Sequence, residues 1–136
     1  MTIETIQTFH GEFRWLVVGV VVITLIKFVA GWLAKQKYGA LDRGLMTALN
    51  LVLGIQFLLG LTLFIWKVVA GAFAAYQLEH LITMLIAVAL PGMLGARIRR
   101  ADSDRLRYQL GVLMIFGIAV LVFLGVSLLP GNGWDS

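Results

Sequence analysis

Four long runs of apolar residues fill most of the chain, and short polar segments separate them. The runs cover residues 13–34, 45–69, 78–96 and 106–129. Because each helical residue rises about 1.5 Å, roughly 20 apolar residues cross a bilayer core about 30 Å thick. None of the runs alternates with the period of two that is typical of barrel strands. Backbone amides in hydrocarbon must be satisfied within their own segment, so the pattern predicts an all-α integral membrane protein with four transmembrane helices.

The polar segments between the runs are too short to hold a separate soluble domain. Helices that follow each other through such short connections lie antiparallel and side by side. We therefore expect a single transmembrane domain, residues 1–136, that folds as an up-down-up-down four-helix bundle.

The positive charges are concentrated in two of the three connections. Of 11 Lys and Arg residues, 8 lie in or beside the first and third connections. Short loops rich in these residues stay in the cytoplasm during insertion. The pattern predicts a multi-pass protein of the bacterial plasma membrane, with both termini on the periplasmic, or outer, side. The net charge of +4 could attract anionic lipid or nucleic acid, and this distribution of the charges favours anionic lipid. The residues are Lys35, Lys37, Arg43, Arg97, Arg99, Arg100, Arg105 and Arg107.

The composition narrows the chemistry that the chain can perform. Cysteine is absent, which excludes disulfides, thiolate metal sites, Cys-bound iron–sulfur clusters and covalently attached c-type haem. The chain has no glycine-rich phosphate loop and no Ser, His and Asp set of the kind used in nucleophilic catalysis. We therefore expect no catalytic activity of its own, and a cofactor could be held only by His, Met, carboxylates or backbone.

The first and third connections share a sequence frame. Residues 34–43 and 96–105 both fit A-[KR]-x-[KR]-x4-D-R. The cations complement the negative end of the incoming helix, and Asp42 or Asp104 can cap the positive start of the outgoing one. The frame predicts two helical hairpins with similar turns.

The two histidines, His10 and His80, are predicted at the outer ends of the first and third helices. At similar depths on different helices, they could bind the iron of a haem b from opposite faces. Arg14 lies one turn after His10 and completes a candidate haem or quinone site. With Glu12 and Glu79, the histidines could instead bind a metal ion such as Zn or Cu. The structural interpretation is a hydrogen-bond cluster at the membrane interface, in which Arg14 pairs with Glu79 or Glu12.

Lys27 and Gln56 are polar residues inside the predicted spans. Lys27 lies roughly 12 Å of helix before Lys35, so its side chain can reach the cytoplasmic headgroups. Alternatively it faces a cavity of the bundle or a carboxylate of a neighbouring subunit. No acidic residue is predicted at mid-membrane, which counts against a cation-exporting transporter. Gln56, near the centre of the second helix, is expected to make a structural hydrogen bond to another helix.

Several short elements of the sequence together carry a resemblance. They are His10 with Arg14 and Trp15, Gly31 with Trp32, Leu41 with Asp42, Gln56 with Gly60, and Glu79 with His80. In these the chain resembles, over nearly its whole length, a family of small four-helix bacterial integral membrane proteins that are sometimes described as cytochrome b-like. Similar proteins often carry another His near the end of the third helix, where this chain has Pro91, Gly92 and Met93. That departure weakens the expectation of haem.

The resemblance implies a non-catalytic accessory subunit. Such a subunit packs against other membrane subunits of a larger respiratory or photosynthetic electron-transfer complex, such as alternative complex III. One alternative is a small membrane cytochrome that binds haem b or reacts with quinone through His10 and His80. A small transporter is the other alternative.

Overall fold

The structure is a computed structural model, and it describes residues 2–130 and Trp134. Its helices are α1 (Ile3–Leu33), α2 (Ala40–Val69), α3 (Ala75–Arg99) and α4 (Asp104–Ser127), and no strand occurs among the described residues. Each of the four helices is long and apolar enough to cross a membrane. The prediction of an all-α protein with four membrane-spanning helices is thus confirmed. Met1 and residues 131–133, 135 and 136 of the predicted domain lie outside the described residues.

The helices begin earlier than the apolar runs. The largest difference is in α1, which starts at Ile3 rather than at residue 13. Thr2 caps this helix, since its hydroxyl accepts from the backbone amide of Thr5 at 3.2 Å. The 31 residues of α1 are about 46 Å long, which exceeds a hydrocarbon core of about 30 Å. Hydropathy therefore locates the membrane segment but not the ends of the helix.

The helices form a closed four-helix bundle. Each helix packs against its neighbours in the chain, and α4 packs against α1. The backbones of the diagonal pairs, α1 with α3 and α2 with α4, do not approach each other within the described chain. Of the four neighbouring pairs, α2 and α3 contact each other least. We call the end with residues 34–39 and 100–103 the basic end, and the end with residues 2 and 70–74 the terminal end.

Two reciprocal glycine contacts bring α1 and α4 together at the basic end. Gly31 of α1 faces the ring of Tyr108, and Gly111 of α4 faces the ring of Phe28. A Cβ atom at either glycine would overlap the facing ring. The two rings pack edge to face, with centroids 5.5 Å apart, and all four residues are buried. Close approach here depends on the absence of a side chain at both positions.

Helix α1 ends in a turn that needs a left-handed residue. Lys35 has φ +54°, and the amide of Gln36 donates to the carbonyl of Gly31 at 2.9 Å. This is the hydrogen bond of a Schellman ending, which usually places glycine at the left-handed position. The end of α2 follows that rule, since Gly71 has φ +73°.

Candidate functional site

A cavity of about 410 Å³ lies between all four helices in the half of the bundle nearer the terminal end. Its volume is within the range of small-molecule sites, roughly 300–1,000 Å³. On α3 its lining extends from Tyr76 to Val88, which is about 18 Å of helix. Most of the wall is apolar, and Leu53, Phe57 and Val122 are part of it. Polar side chains interrupt this wall at a few positions.

His10 enters the cavity wall from α1. Its ring packs against Gly60 of α2, where a Cβ atom would lie 3.0 Å from the imidazole Cε1. Gly60 thus leaves the space that the ring occupies. The Nδ1 atom of His10 is buried and has no hydrogen-bond partner within the described part of the chain.

Gln56 lies on α2 beside His10. Its Nε2 atom donates to the backbone carbonyl of His10 at 2.9 Å, which connects α2 to α1. Its Oε1 atom is buried and lacks a hydrogen-bond partner among the described residues. A buried acceptor left unsatisfied costs about 1–3 kcal/mol. A donor supplied by a ligand in the cavity would remove that cost.

His80 enters the wall from α3 and is held by α4. Its Nδ1 atom lies 2.7 Å from the carbonyl oxygen of Gly125. A carbonyl can only accept, so Nδ1 carries the hydrogen, and Nε2 of the neutral ring carries a lone pair. Next to this contact, Gly125 leaves space for the Met84 side chain of α3, which a Cβ atom at residue 125 would overlap. The ring is oriented as in metal-ligating or basic histidines, whose second nitrogen is fixed by a carbonyl.

Arg14 adds a positive charge to the wall, one turn after His10. Its side chain is only 8% exposed, and its guanidinium carbon lies 5.1 Å from the ring centroid of Trp15 and 5.7 Å from that of Trp134. Trp134 also donates to the hydroxyl of Ser127 at 3.2 Å. Cation–π contacts of this kind position the guanidinium.

The histidines lie on opposite walls of the cavity. His10 is on α1 and His80 on α3, a diagonal pair, and both residues line the same space. The sequence therefore placed them correctly at one end of the bundle. It did not reveal Gly125 as the partner of His80. Gly60 was a candidate for close helix packing, but the sequence alone did not distinguish it from Gly54 of the same helix, where nothing lies within 4 Å.

The predicted metal site with carboxylate ligands is not assembled. Within the described chain, no group of three or more His, Asp or Glu side chains could hold a metal ion. Glu12 and Glu79 are exposed and do not line the cavity. The prediction of a His and carboxylate site is wrong because both carboxylates lie on outward helix faces.

No protein-family model, curated protein or solved structure matches the chain. The cavity and its polar groups are therefore the basis on which a function can be inferred.

The second polar cluster lies at the basic end. The Lys27 ammonium contacts Asp42 Oδ1 at 2.7 Å and Gln36 Oε1 at 3.1 Å. Tyr108 donates to Asp42 Oδ2 at 2.8 Å, and the Gly39 amide donates to the same oxygen at 2.9 Å. We call Lys27, Gln36, Gly39, Asp42 and Tyr108 the Lys27 cluster. It connects α1, α2 and α4.

The Lys27 cluster replaces both sequence-based interpretations of Lys27. The residue pairs with a carboxylate of its own chain, Asp42, which neither interpretation had included. The pairing is possible because α2 begins at Ala40. Asp42 therefore lies in the first turn of α2, where its carboxylate reaches Lys27 of α1. Asp104, the matching residue of the repeated frame, instead forms an ion pair with Arg107 at 2.9 Å. The cap of α4 is Ser103, whose hydroxyl accepts from the amide of Leu106.

Proposed function

We propose that the chain is a bacterial plasma-membrane protein that binds a quinol in the cavity. The observation that carries this proposal is the pair of acceptors in the wall. Gln56 Oε1 is buried and lacks a partner in the described chain, and His80 Nε2 is left with a lone pair by the bond of Nδ1 to Gly125. A hydroquinone offers two hydroxyl donors, one for each acceptor.

The rest of the cavity suits the rest of such a ligand. Its apolar wall, with Leu53, Phe57 and Met84, matches an aromatic head and the start of an isoprenoid tail. We place the route of the tail to the lipid between α2 and α3, the neighbouring helices that contact each other least.

The polar groups favour the reduced ligand. An oxidised quinone has only carbonyl acceptors, which would face the acceptors Gln56 Oε1 and His80 Nε2 without a hydrogen bond. A quinol donates to both. Oxidation of the quinol releases two protons and two electrons. His80 Nε2 can take up one hydroxyl proton, and the Gly125 carbonyl stabilises the resulting imidazolium through Nδ1–H. The second proton leaves to water at the terminal end, and both electrons leave to a redox partner on another subunit.

A quinol site needs a redox partner to receive its electrons. The loops of the described chain, residues 34–39, 70–74 and 100–103, are too short to hold one. This supports a role as an accessory subunit, packed with lipids and other membrane subunits in a respiratory or photosynthetic electron-transfer complex. With the basic end in the cytoplasm, the cavity and both termini lie on the periplasmic side.

Haem b is the second candidate, because the two imidazoles face one cavity from diagonal helices. His80 fits the role of an axial ligand, since a carbonyl orients its ring. His10 fits less well, because its Nδ1 has no carbonyl partner among the described residues. The residues present therefore suit a quinol better than a haem held by both histidines.

The test uses two substitutions of His80 in protein reconstituted into lipid nanodiscs. His80→Asn keeps an amide N–H near the Nδ1 position, for Gly125, and removes the Nε2 acceptor. His80→Gln keeps a polar group near the Nε2 position and removes the Nδ1 donor. We expect the wild type to bind a short-chain quinol more tightly than its quinone, measured by quenching of Trp fluorescence. His80→Asn should lose about tenfold in quinol affinity, the 1.4 kcal/mol of one hydrogen bond.

His80→Gln is the matched control and should retain part of the preference for quinol. Equal affinity of the wild type for quinol and quinone, or an unchanged preference in His80→Asn, would contradict the proposal. An absorption spectrum of the protein from haem-replete membranes distinguishes haem b, the second candidate, from a quinol. A Soret band that disappears in both His80 variants would assign the cavity to haem instead.

A further inference from the structure

A separate cleft at the basic end is lined by three arginines. Arg43, Arg99, Arg107 and Tyr38 surround a space of about 370 Å³. The arginines come from the start of α2, the end of α3 and the start of α4, and Tyr38 comes from the loop before α2. Three elements that are distant in sequence thus direct cations to one place.

The charges of this cleft are only partly balanced. Arg107 contacts Asp104 at 2.9 Å and also donates to the carbonyl of Ala101 at 2.8 Å. Arg43 and Arg99 have no carboxylate partner within 4.0 Å in the described part of the chain. Like charges held in one cleft repel each other. An anion bound between them would offset that repulsion.

The pKa of Tyr38 is affected by the charged groups around the cleft. Burial raises the pKa of its hydroxyl, Asp42 and Tyr108 raise it further, and the cations Arg43 and Arg107 oppose the rise. The ring of Tyr38 packs against two other aromatic rings, and its centroid lies 5.7 Å from that of Phe28 and 5.4 Å from that of Tyr108. The floor of the cleft is therefore fixed by packing, and its rim is cationic.

We propose that this cleft binds the phosphate group of an anionic phospholipid. Guanidinium groups match phosphate oxygens through pairs of N–H donors, which makes arginine suited to this anion. The cleft lies at the end of helices that are long enough to cross a membrane, where phospholipid headgroups border the protein. In the sequence, Leu41 and Leu106 lie within two residues of Arg43 and Arg107, and these side chains are 62% and 37% exposed.

The proposal is independent of the quinol site, which lies towards the other end of the bundle. It is tested by native mass spectrometry of protein purified in mild detergent with equal amounts of phosphatidylglycerol and phosphatidylcholine. Arg43→Gln with Arg99→Gln removes the two arginines that lack a carboxylate partner. Arg97→Gln with Arg105→Gln changes the net charge equally at the same end, at residues that do not line the cleft.

The wild type should retain phosphatidylglycerol selectively. Each guanidinium that is hydrogen-bonded to the lipid phosphate contributes about 1 kcal/mol net, so the cleft variant should lose roughly thirtyfold, about 2 kcal/mol at 1.4 kcal/mol per factor of ten. The control variant should stay within about threefold of the wild type, which is about 0.7 kcal/mol at 1.4 kcal/mol per factor of ten. An equal loss in both variants would show unspecific attraction and overturn the proposal.

A third arm separates lipid from free phosphate. Inorganic phosphate is added and compared with chloride at the same ionic strength. The proposal expects both salts to release the lipid to the same extent. Selective release by phosphate would show that the cleft takes the free anion, and the assignment to phospholipid would be wrong. Circular dichroism of each variant verifies that the helices remain intact.

Discussion

Replacing Asp42 by Asn should destabilise the protein far more than the same change at Asp104. The Asp42 side chain is 2% exposed, and its carboxylate accepts from Lys27 at 2.7 Å, Tyr108 at 2.8 Å and the Gly39 amide at 2.9 Å. Asparagine keeps one acceptor oxygen but leaves the Lys27 ammonium without a counter-charge. Removal of one partner from a buried pair costs about 3–5 kcal/mol. Because the Lys27 side chain is 23% exposed, we expect the lower limit, about 3 kcal/mol.

The control has the same chemistry at an exposed site. The Asp104 side chain is 38% exposed and pairs with Arg107 one turn away, so Asp104→Asn should cost at most about 1 kcal/mol. The free energy of unfolding is measured in mixed micelles, from the loss of helicity as SDS is increased. A double-mutant cycle with Lys27→Met should give a coupling of roughly 0.5–3 kcal/mol. Equal costs at Asp42 and Asp104, or no coupling to Lys27, would refute the account of the Lys27 cluster.

Four further substitutions test individual contacts in the same unfolding and binding assays. Gly111→Ala should destabilise the bundle by about 1–3 kcal/mol, because its methyl group would overlap Phe28. Gly44→Ala, where nothing lies within 4 Å, should instead stabilise the helix by about 0.5–1 kcal/mol. Lys35→Gly should stabilise the protein by roughly 1 kcal/mol, since a non-glycine residue in the left-handed conformation carries that much strain. An unchanged free energy of unfolding would show that Lys35 is not strained. Gly60→Val should lower quinol affinity at least tenfold, about 1.4 kcal/mol, and unchanged affinity would place the ligand elsewhere.

The fold could be predicted from the sequence because hydropathy and loop length leave few arrangements for four apolar helices. The ends of the helices could not. In α1, polar residues such as Glu4 and Gln7 precede the apolar run, yet the helix includes them from Ile3 onwards. The helix is stabilised there by its cap and by packing against α2, neither of which appears as hydrophobicity.

The repeated frame shows a second limit of the sequence. Asp42 and Asp104 occupy equivalent places in it, but only Asp42 packs against another helix that carries a partly buried lysine. Local sequence determines the turn, whereas the partner of Asp42 is 15 residues away. The same holds for His80, whose partner Gly125 is 45 residues away. Such contacts depend on how the helices pack, so residue types alone did not reveal them.

The most direct test of the quinol site is photolabelling with an azido-substituted quinone that is reduced before illumination. The account predicts label on the cavity walls, on peptides of α2 around Gln56 and of α3 around His80, and predicts that excess unlabelled quinol abolishes it. Label spread over lipid-facing residues such as Leu113 and Phe116, which are 67% and 59% exposed, and insensitive to competition would contradict the presence of a quinol in the cavity.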